Sequence, residues 1–290
     1  MIAPIAMCVA LAAVSSAAAA SAVLELHEAE PPEPAATVER RPDQLPGSHV
    51  ARGSANIAAA WLAGPTSRYD HAVLGDGIEA SQLAVETRGG GMLVHTLPAT
   101  RVFEDLAPRL ADLDGDGEDE ILVVETDAAR GASLAVYAVA GDGIARKAMT
   151  PFLGQSYRWL NPLGVGDFDG DGRLDIALVA TPHIGGRLRL YRYTAPTLTR
   201  FAEIGGVSTH AIGSRELGLG RVVPYTDRDR FLLPDQSHRA LRLLEWTPDG
   251  IREMAHVALP SAIETSLEPT GNDRWRFRTR AGRYLEVRVH

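Results

Sequence analysis

The sequence predicts an all-β fold, a β-propeller of five four-stranded blades, on three observations. An acidic segment recurs at a fixed spacing, each copy leads into short strands separated by turns, and no helical periodicity of useful length follows residue 65. The two clearest copies are Ala111-Asp-Leu-Asp-Gly-Asp-Gly-Glu-Asp-Glu-Ile-Leu-Val-Val124 and Gly166-Asp-Phe-Asp-Gly-Asp-Gly-Arg-Leu-Asp-Ile-Ala-Leu-Val179. Asp112 and Asp167 lie 55 positions apart, as do Glu120 and Asp175. A period of this size marks a blade or solenoid array, and four strands per unit favour a propeller over a solenoid, which carries fewer.

The strands follow in order. After each acidic loop comes an apolar run, Ile121 to Val124 and Ile176 to Val179, then a glycine-containing connection and an alternating strand, Leu134 to Val139 and Leu188 to Tyr193. Phe231 to Leu233 and Leu241 to Trp246 continue the series, and Trp275 to Arg278 with Tyr284 to Val289 form a last unit. Gln82 to Glu86 and Met92 to Leu97 make a shorter unit ahead of the first acidic loop. The last unit shows no fourth strand. Propellers often take that strand from the N-terminal side, which here selects Ile57 to Leu62 and removes an exposed edge.

Ahead of this body, Ile2 to Ala20 is apolar and uncharged, and Ala18-Ala19-Ala20 offers a small-x-small cleavage site before Ser21. Residues 1–20 therefore read as a secretory signal, residues 21–52 as a flexible, proline-rich linker, and residues 53–290 as the propeller, which implies a periplasmic or secreted protein. Met7 stands where a lipoprotein signal has a small residue before its cysteine, and Cys8 is the sole cysteine. The mature chain then holds no disulfide, so any staple must be of another kind. No later segment is apolar for long enough to span a bilayer as a helix. The net charge of -8, with arginines scattered singly, excludes a phosphate-tracking basic face and hence a nucleic-acid partner.

The acidic loops carry the chemistry. Asp112, Asp114 and Asp116 alternate in the first, Gly117 follows, Glu118 offers a backbone carbonyl, and Glu120 closes. Asp167, Asp169 and Asp171 repeat the pattern with Gly172, the carbonyl of Arg173, and Asp175. Oxygen ligands at positions 1, 3, 5 and 7 of a glycine-bent loop suit Ca²⁺. An EF-hand needs a bidentate Glu at position 12, where these loops have Val123 and Leu178 between strands. Two structural Ca²⁺ ions are therefore expected, one per loop. The segments Tyr225-Thr-Asp-Arg-Asp-Arg230 and Pro269-Thr-Gly-Asn-Asp-Arg274 hold too few carboxylates for a third.

These paired D-x-D-G-D-G-x-x-[DE] motifs resemble FG-GAP/VCBS-type repeats, the family that includes integrin-like propeller blades. The resemblance is close over residues 108–207 and looser on either side. It implies calcium at the two matched loops, which would join the innermost strand of a blade to the second. Loops between blades, and between second and third strands, would then emerge on the opposite face.

That opposite face gathers polar residues. His71, Arg158 and His210 are placed before innermost strands, and His183 and His238 between second and third strands; Asn161 and Arg215 are neighbours. His71, Arg158, Asn161, His183, His210 and Arg215 are thus the candidate ligand residues, for an anionic sugar, a phosphate or a transition metal. No nucleophile elbow, zinc-protease helix or phosphate loop is present. The leading expectation is an exported binding or scaffold module for a saccharide or protein partner. The alternatives are a hydrolase or lyase acting on a saccharide or phosphoester through the His/Arg cluster, and a surface for protein partners alone.

Overall fold

The computed structural model describes residues 22–33, 40–41 and 43–290. The expected signal at 1–20 lies outside them, as does part of the expected linker. Within them every regular element is a β-strand.

Five four-stranded units follow one another along the chain. The first holds β2 (Ala51–Arg52), β3 (Ile57–Thr66), β4 (Glu79–Thr87) and β5 (Met92–Thr96). After the short β6 (Arg101–Phe103), the second holds β7 (Arg109–Ala111), β8 (Glu120–Asp127), β9 (Gly131–Ala140) and β10 (Gly143–Met149). β6 pairs with both β4 and β8 and so joins these two units into one nine-stranded sheet. The third is β11 (Leu160–Gly166), β12 (Asp175–Ala180), β13 (Arg187–Thr194) and β14 (Thr197–Gly205). The fourth is β15 (Arg221–Val223), β16 (Arg230–Pro234), β17 (Ala240–Thr247) and β18 (Gly250–Ala258). The fifth is β19 (Glu268–Gly271), β20 (Arg274–Arg278) and β21 (Tyr284–Val289), completed by β1 (Leu24–Glu28) on the outer edge of β21.

The period-2 rule of a strand explains why the second strands read as unbroken apolar runs. Successive side chains point to opposite faces, and a sheet with neighbours on both sides must be apolar on both. In β8, Leu122 and Val124 enter a core shared with Ile176 and Leu178 of the third unit. Ile121 and Val123 enter a core shared with Leu62 and Leu83 of the first. Ala177 and Val179 likewise meet Phe231 and Leu233 of the fourth unit, and Leu232 meets Trp275 and Phe277 of the fifth. The units thus stack face to face in chain order, as blades do. One cavity of about 280 Å³ is lined by residues at or beside the innermost strand of every unit, among them His49, Arg109, Leu163, Arg221 and Ser266, so the inner strands converge.

Three expectations need correction. The strand that completes the last unit is Leu24–Glu28, in full antiparallel register with Leu285–Val289, and not Ile57 to Leu62. The latter belongs to β3, the second strand of a complete first unit whose third and outer strands are the supposed short unit, Gln82 to Glu86 and Met92 to Leu97. The span 21–52 is accordingly more than a linker. Leu24 is buried among Trp275, Leu285 and Val287, and Gln44 bridges to Ala63. The alternation Leu-Glu-Leu-His is short, but the edge of β21 offers it a ladder, and tertiary pairing decides where so few residues cannot.

Candidate functional site

The two acidic loops join β7 to β8 and β11 to β12, an innermost strand to a second strand in each case, as expected. Their glycines do the bending. Gly115 and Gly117, and Gly170 and Gly172, all have φ between 78° and 88°, where a side chain would strain the backbone. Asp112 anchors its loop by accepting from the Gly115 and Gly117 amides at 2.7 and 2.9 Å. Asp167 does the same with Gly170 and Gly172 at 2.7 and 2.8 Å.

In each loop one carboxylate oxygen from every alternating aspartate lies within 4.8 Å of the others, Asp112, Asp114 and Asp116 in one and Asp167, Asp169 and Asp171 in the other. Buried Glu120 and Asp175 stand behind them. Burial first, then the neighbouring aspartates, push Glu120 up to about 7 and Asp175 up to about 6. Glu118 and Arg173 are exposed; their amides donate to Asp116 and Asp171, and their side chains play no further part beyond an Arg173–Asp171 ion pair.

The loops differ in one respect. Arg192 on β13 reaches into the second, pairing with Asp169 and with Asp175 (3.2 Å) and lying 3.9 Å from Asp171. In the first loop the equivalent place on β9 belongs to Ala138, because Ile121 pairs with Tyr137 as Ile176 pairs with Tyr191. Even so, Asp175 Oδ2 is buried without a hydrogen-bond partner. A divalent cation fits both donor sets: each presents crowded, oxygen-only ligands in excess of the positive charge nearby.

Both loops interlock with the neighbouring unit on that side. Asp119 accepts from Ala55 N and its own amide donates to Asn56, both in the β2–β3 turn. Asp229, ahead of β16, accepts from Asp167 N and returns a backbone bond to Asp167 O at 2.7 Å. A larger groove of about 810 Å³ lies nearby, between Tyr225–Arg230 and Thr247–Arg252. Within it Glu245 pairs with Arg230 and Arg252, and Arg230 sits 3.7 Å from the Tyr225 ring centroid.

Residues 112–178, from the first aspartate of the first loop into β12, match the family model described as the FG-GAP-like repeat. The chain carries an FG-GAP-like repeat. No curated protein matches the chain. The repeat's two acidic loops and the blade between them are therefore the recognisable part, and the remaining units share its four-stranded plan without its carboxylates.

On the other side of the repeat, His71, Arg158, His183 and His210 line one pocket of about 460 Å³, together with His238 and Arg280. His183, His238 and Arg280 occupy the same place in successive units, the connection between second and third strands. Arg280 is the residue that sequence reasoning missed; its position after β20 is the signal that would have found it. His71 also sits between second and third strands, β3 and β4, not ahead of an innermost strand. Two candidates lie elsewhere. Asn161 is fully buried and donates to Thr209 O, Thr209 Oγ1 and Leu217 O. Arg215 is held by Asp76, Leu74 O and Pro46 O.

The pocket's floor has defined protonation. His210 Nε2 lies 2.9 Å from Ser214 O, a carbonyl, so this nitrogen carries the proton. Burial holds His210 down to about 4, so at neutral pH its Nδ1 is bare and accepts from His183 Nε2 at 2.8 Å. Ser208 Oγ donates to His210 O and accepts from His238 Nε2 at 2.8 Å. His183 and His238 are therefore both Nε2–H tautomers with an unprotonated Nδ1. Burial, then His210, holds His183 down to about 4, and burial lowers His238 too. Trp159 lies parallel to His183 at 6.1 Å and donates its indole N–H to Glu104 O.

At the side, His71 Nδ1 meets Glu104 Oε1 at 2.5 Å, and Thr126 Oγ1 holds the other carboxylate oxygen at 2.6 Å. Glu104 is fully buried, and burial raises its carboxyl. Tyr157 stacks on Tyr69 and tilts over His71. The four non-glycine residues with positive φ among the described residues are Ala72, Tyr157, Thr181 and His238; three line the pocket and the fourth follows His71. Such strain persists only where the surroundings enforce it, and it collects at functional sites. Gly186 shows one enforcement: a Cβ there would sit 1.9 Å from Val207 O, so the His183 loop is clamped to the next unit.

Proposed function

We propose that the protein is an exported, calcium-braced binding module whose ligand enters the pocket opposite the acidic loops. The observation that carries this reading is the convergence of His71, Arg158, His183, His210, His238 and Arg280, from six separate loops, on one pocket with strained backbone at its rim. Three of the few exposed large apolar side chains, Tyr157, Ile184 and Ile212, flank the same opening and give a ligand an apolar face to cover. The apolar segment at 2–20, with Ala18-Ala19-Ala20, supports export to the periplasm or the medium.

In this reading each acidic loop holds one Ca²⁺, through Asp112, Asp114, Asp116 and Glu120 in the first and Asp167, Asp169, Asp171 and Asp175 in the second. The ions hold the loops shut, in place of disulfides, and take no part at the pocket. Thermal unfolding of the chain from Ser21 onward, with calcium and then with excess EGTA, tests the bracing. A site at a hundredfold excess over Kd adds about 2.7 kcal/mol, so each is expected to raise the midpoint by roughly 5–10 °C. Asp114→Ala with Asp169→Ala should abolish that rise. An unchanged midpoint in EGTA would remove calcium from the reading.

One observation favours an enzyme instead. A buried carboxylate on His71 Nδ1 leaves its other nitrogen for the pocket, the pairing that orients a general base. A hydrolase or lyase acting on a saccharide or phosphoester would lose nearly all turnover on His71→Gln with its fold kept, whereas a binding module would show only a graded loss of affinity.

A further inference from the structure

The pocket's charge and protonation say what it binds. No carboxylate lines it, in a chain whose acidic residues outnumber its basic ones by 37 to 29. Arg158 and Arg280 both line it, and neither has an ion-pair partner among the described residues, where most arginines do. Between them lie imidazoles fixed as neutral acceptors, His183 and His238, each with a bare Nδ1 because its Nε2 is committed to His210 and Ser208 respectively. Beside them, Tyr157 presents half of its surface to solvent.

We infer that the pocket binds a hydroxylated organic anion, an acidic sugar, with Arg158 and Arg280 supplying the positive charge and His183 and His238 accepting from its hydroxyls. This rests on the reading of the pocket as a ligand site. A bare inorganic anion would use the arginines but leave two acceptors facing its own negative oxygens. A neutral sugar would use the acceptors and leave two unpaired guanidinium groups. Only a molecule with both kinds of group satisfies the whole lining, and its ring covers the apolar rim. At neutral pH the imidazoles stay uncharged, because burial holds His183 down to about 4 and lowers His238 as well, so each bare Nδ1 accepts rather than donates.

The test is calorimetric titration of the calcium-loaded protein at pH 7 with four probes: glucuronate, glucose 6-phosphate, glucose and inorganic phosphate. Glucuronate is expected to bind at least about tenfold more tightly than glucose and than phosphate, the worth of one charge-assisted contact. Arg280→Gln, at an exposed turn, should erase the preference for glucuronate over glucose, and Arg280→Lys should keep part of it. If glucose 6-phosphate binds and glucuronate does not, the acidic-sugar class stands and the carboxylate is replaced by a phosphate. Equal binding of glucose and glucuronate, insensitive to Arg280→Gln but lost on His183→Ala, would overturn the anionic inference and leave the pocket a ligand site. Absence of heat with all four probes, and no protection of the pocket loops from proteolysis, would overturn both.

Discussion

The His183–His210 pair makes this protein sensitive to mild acid, by an amount that can be worked out. His210 is fully buried, and its folded value is about 4 against an ordinary 6.5. The unfolded chain therefore binds a proton that the folded chain refuses, and folding stability is lost as pH falls from about 6.5 towards about 4. At about 1.36 kcal/mol per pH unit, integrated from pH 7 to pH 5, His210 alone removes roughly 2 kcal/mol. His183 has the same sense, but it is less buried and coupled to His210, so it adds less than a second full share. Glu79 works the other way: burial, then Glu104, raises it to about 9, so its contribution grows as pH falls. The assay is therefore a difference. Urea unfolding of wild type and His210→Gln at saturating calcium, at steps from pH 7 to pH 5, cancels Glu79 and every other shared group. The wild type should lose about 2 kcal/mol more than the variant over this range. Parallel lines for the two proteins would refute the tautomer chain drawn from Ser214 O through His210 to His183.

Three further outcomes are expected. Arg192→Gln leaves the carboxylates of the second loop uncompensated, with Asp175 buried, and should cost about 1–3 kcal/mol in EGTA; calcium should restore most of it, as read by melts in both conditions. Leu24→Ala removes a side chain buried against Trp275 and Val287 and should cost about 2–4 kcal/mol in chemical denaturation, whereas Glu25→Ala beside it should cost little. Gly186→Ala drives a methyl group into Val207 O and should destabilise by more than about 2 kcal/mol, while also weakening any ligand held through His183.

Much of the fold is legible because the repeat states it twice. The spacing from Asp112 to Asp167 predicts the unit, and Ile121–Val124 and Ile176–Val179 predict strands covered on both faces, which the cores on either side of β8 and β12 bear out. The closing strand is not legible, because Leu24–Glu28 is too short to declare itself and its partner lies at the far end of the chain. The four ligand-face residues that converge, His71, Arg158, His183 and His210, follow from knowing which loops share a face. Asn161 and Arg215 fail for a different reason: a polar residue in such a loop can equally satisfy buried carbonyls, and only the hydrogen bonds to Leu217 O and Pro46 O tell the two uses apart. Arg192 escapes notice because its role depends on a cross-strand register that spacing alone does not supply.

The pairing of β1 with β21 also governs when the molecule can be finished. During synthesis Leu24–Glu28 emerges before the other described strands and then waits for Leu285–Val289, its ladder partner. Val23 and His290 exchange backbone bonds, which extends the ladder by one pair. A chain that stops short of β21 exposes two open strand edges at once, β1 and β20, and such edges are what aggregation and quality control respond to. Strand β21 thus serves as a closure check: only a chain made through Val289 can cover the edge of β1.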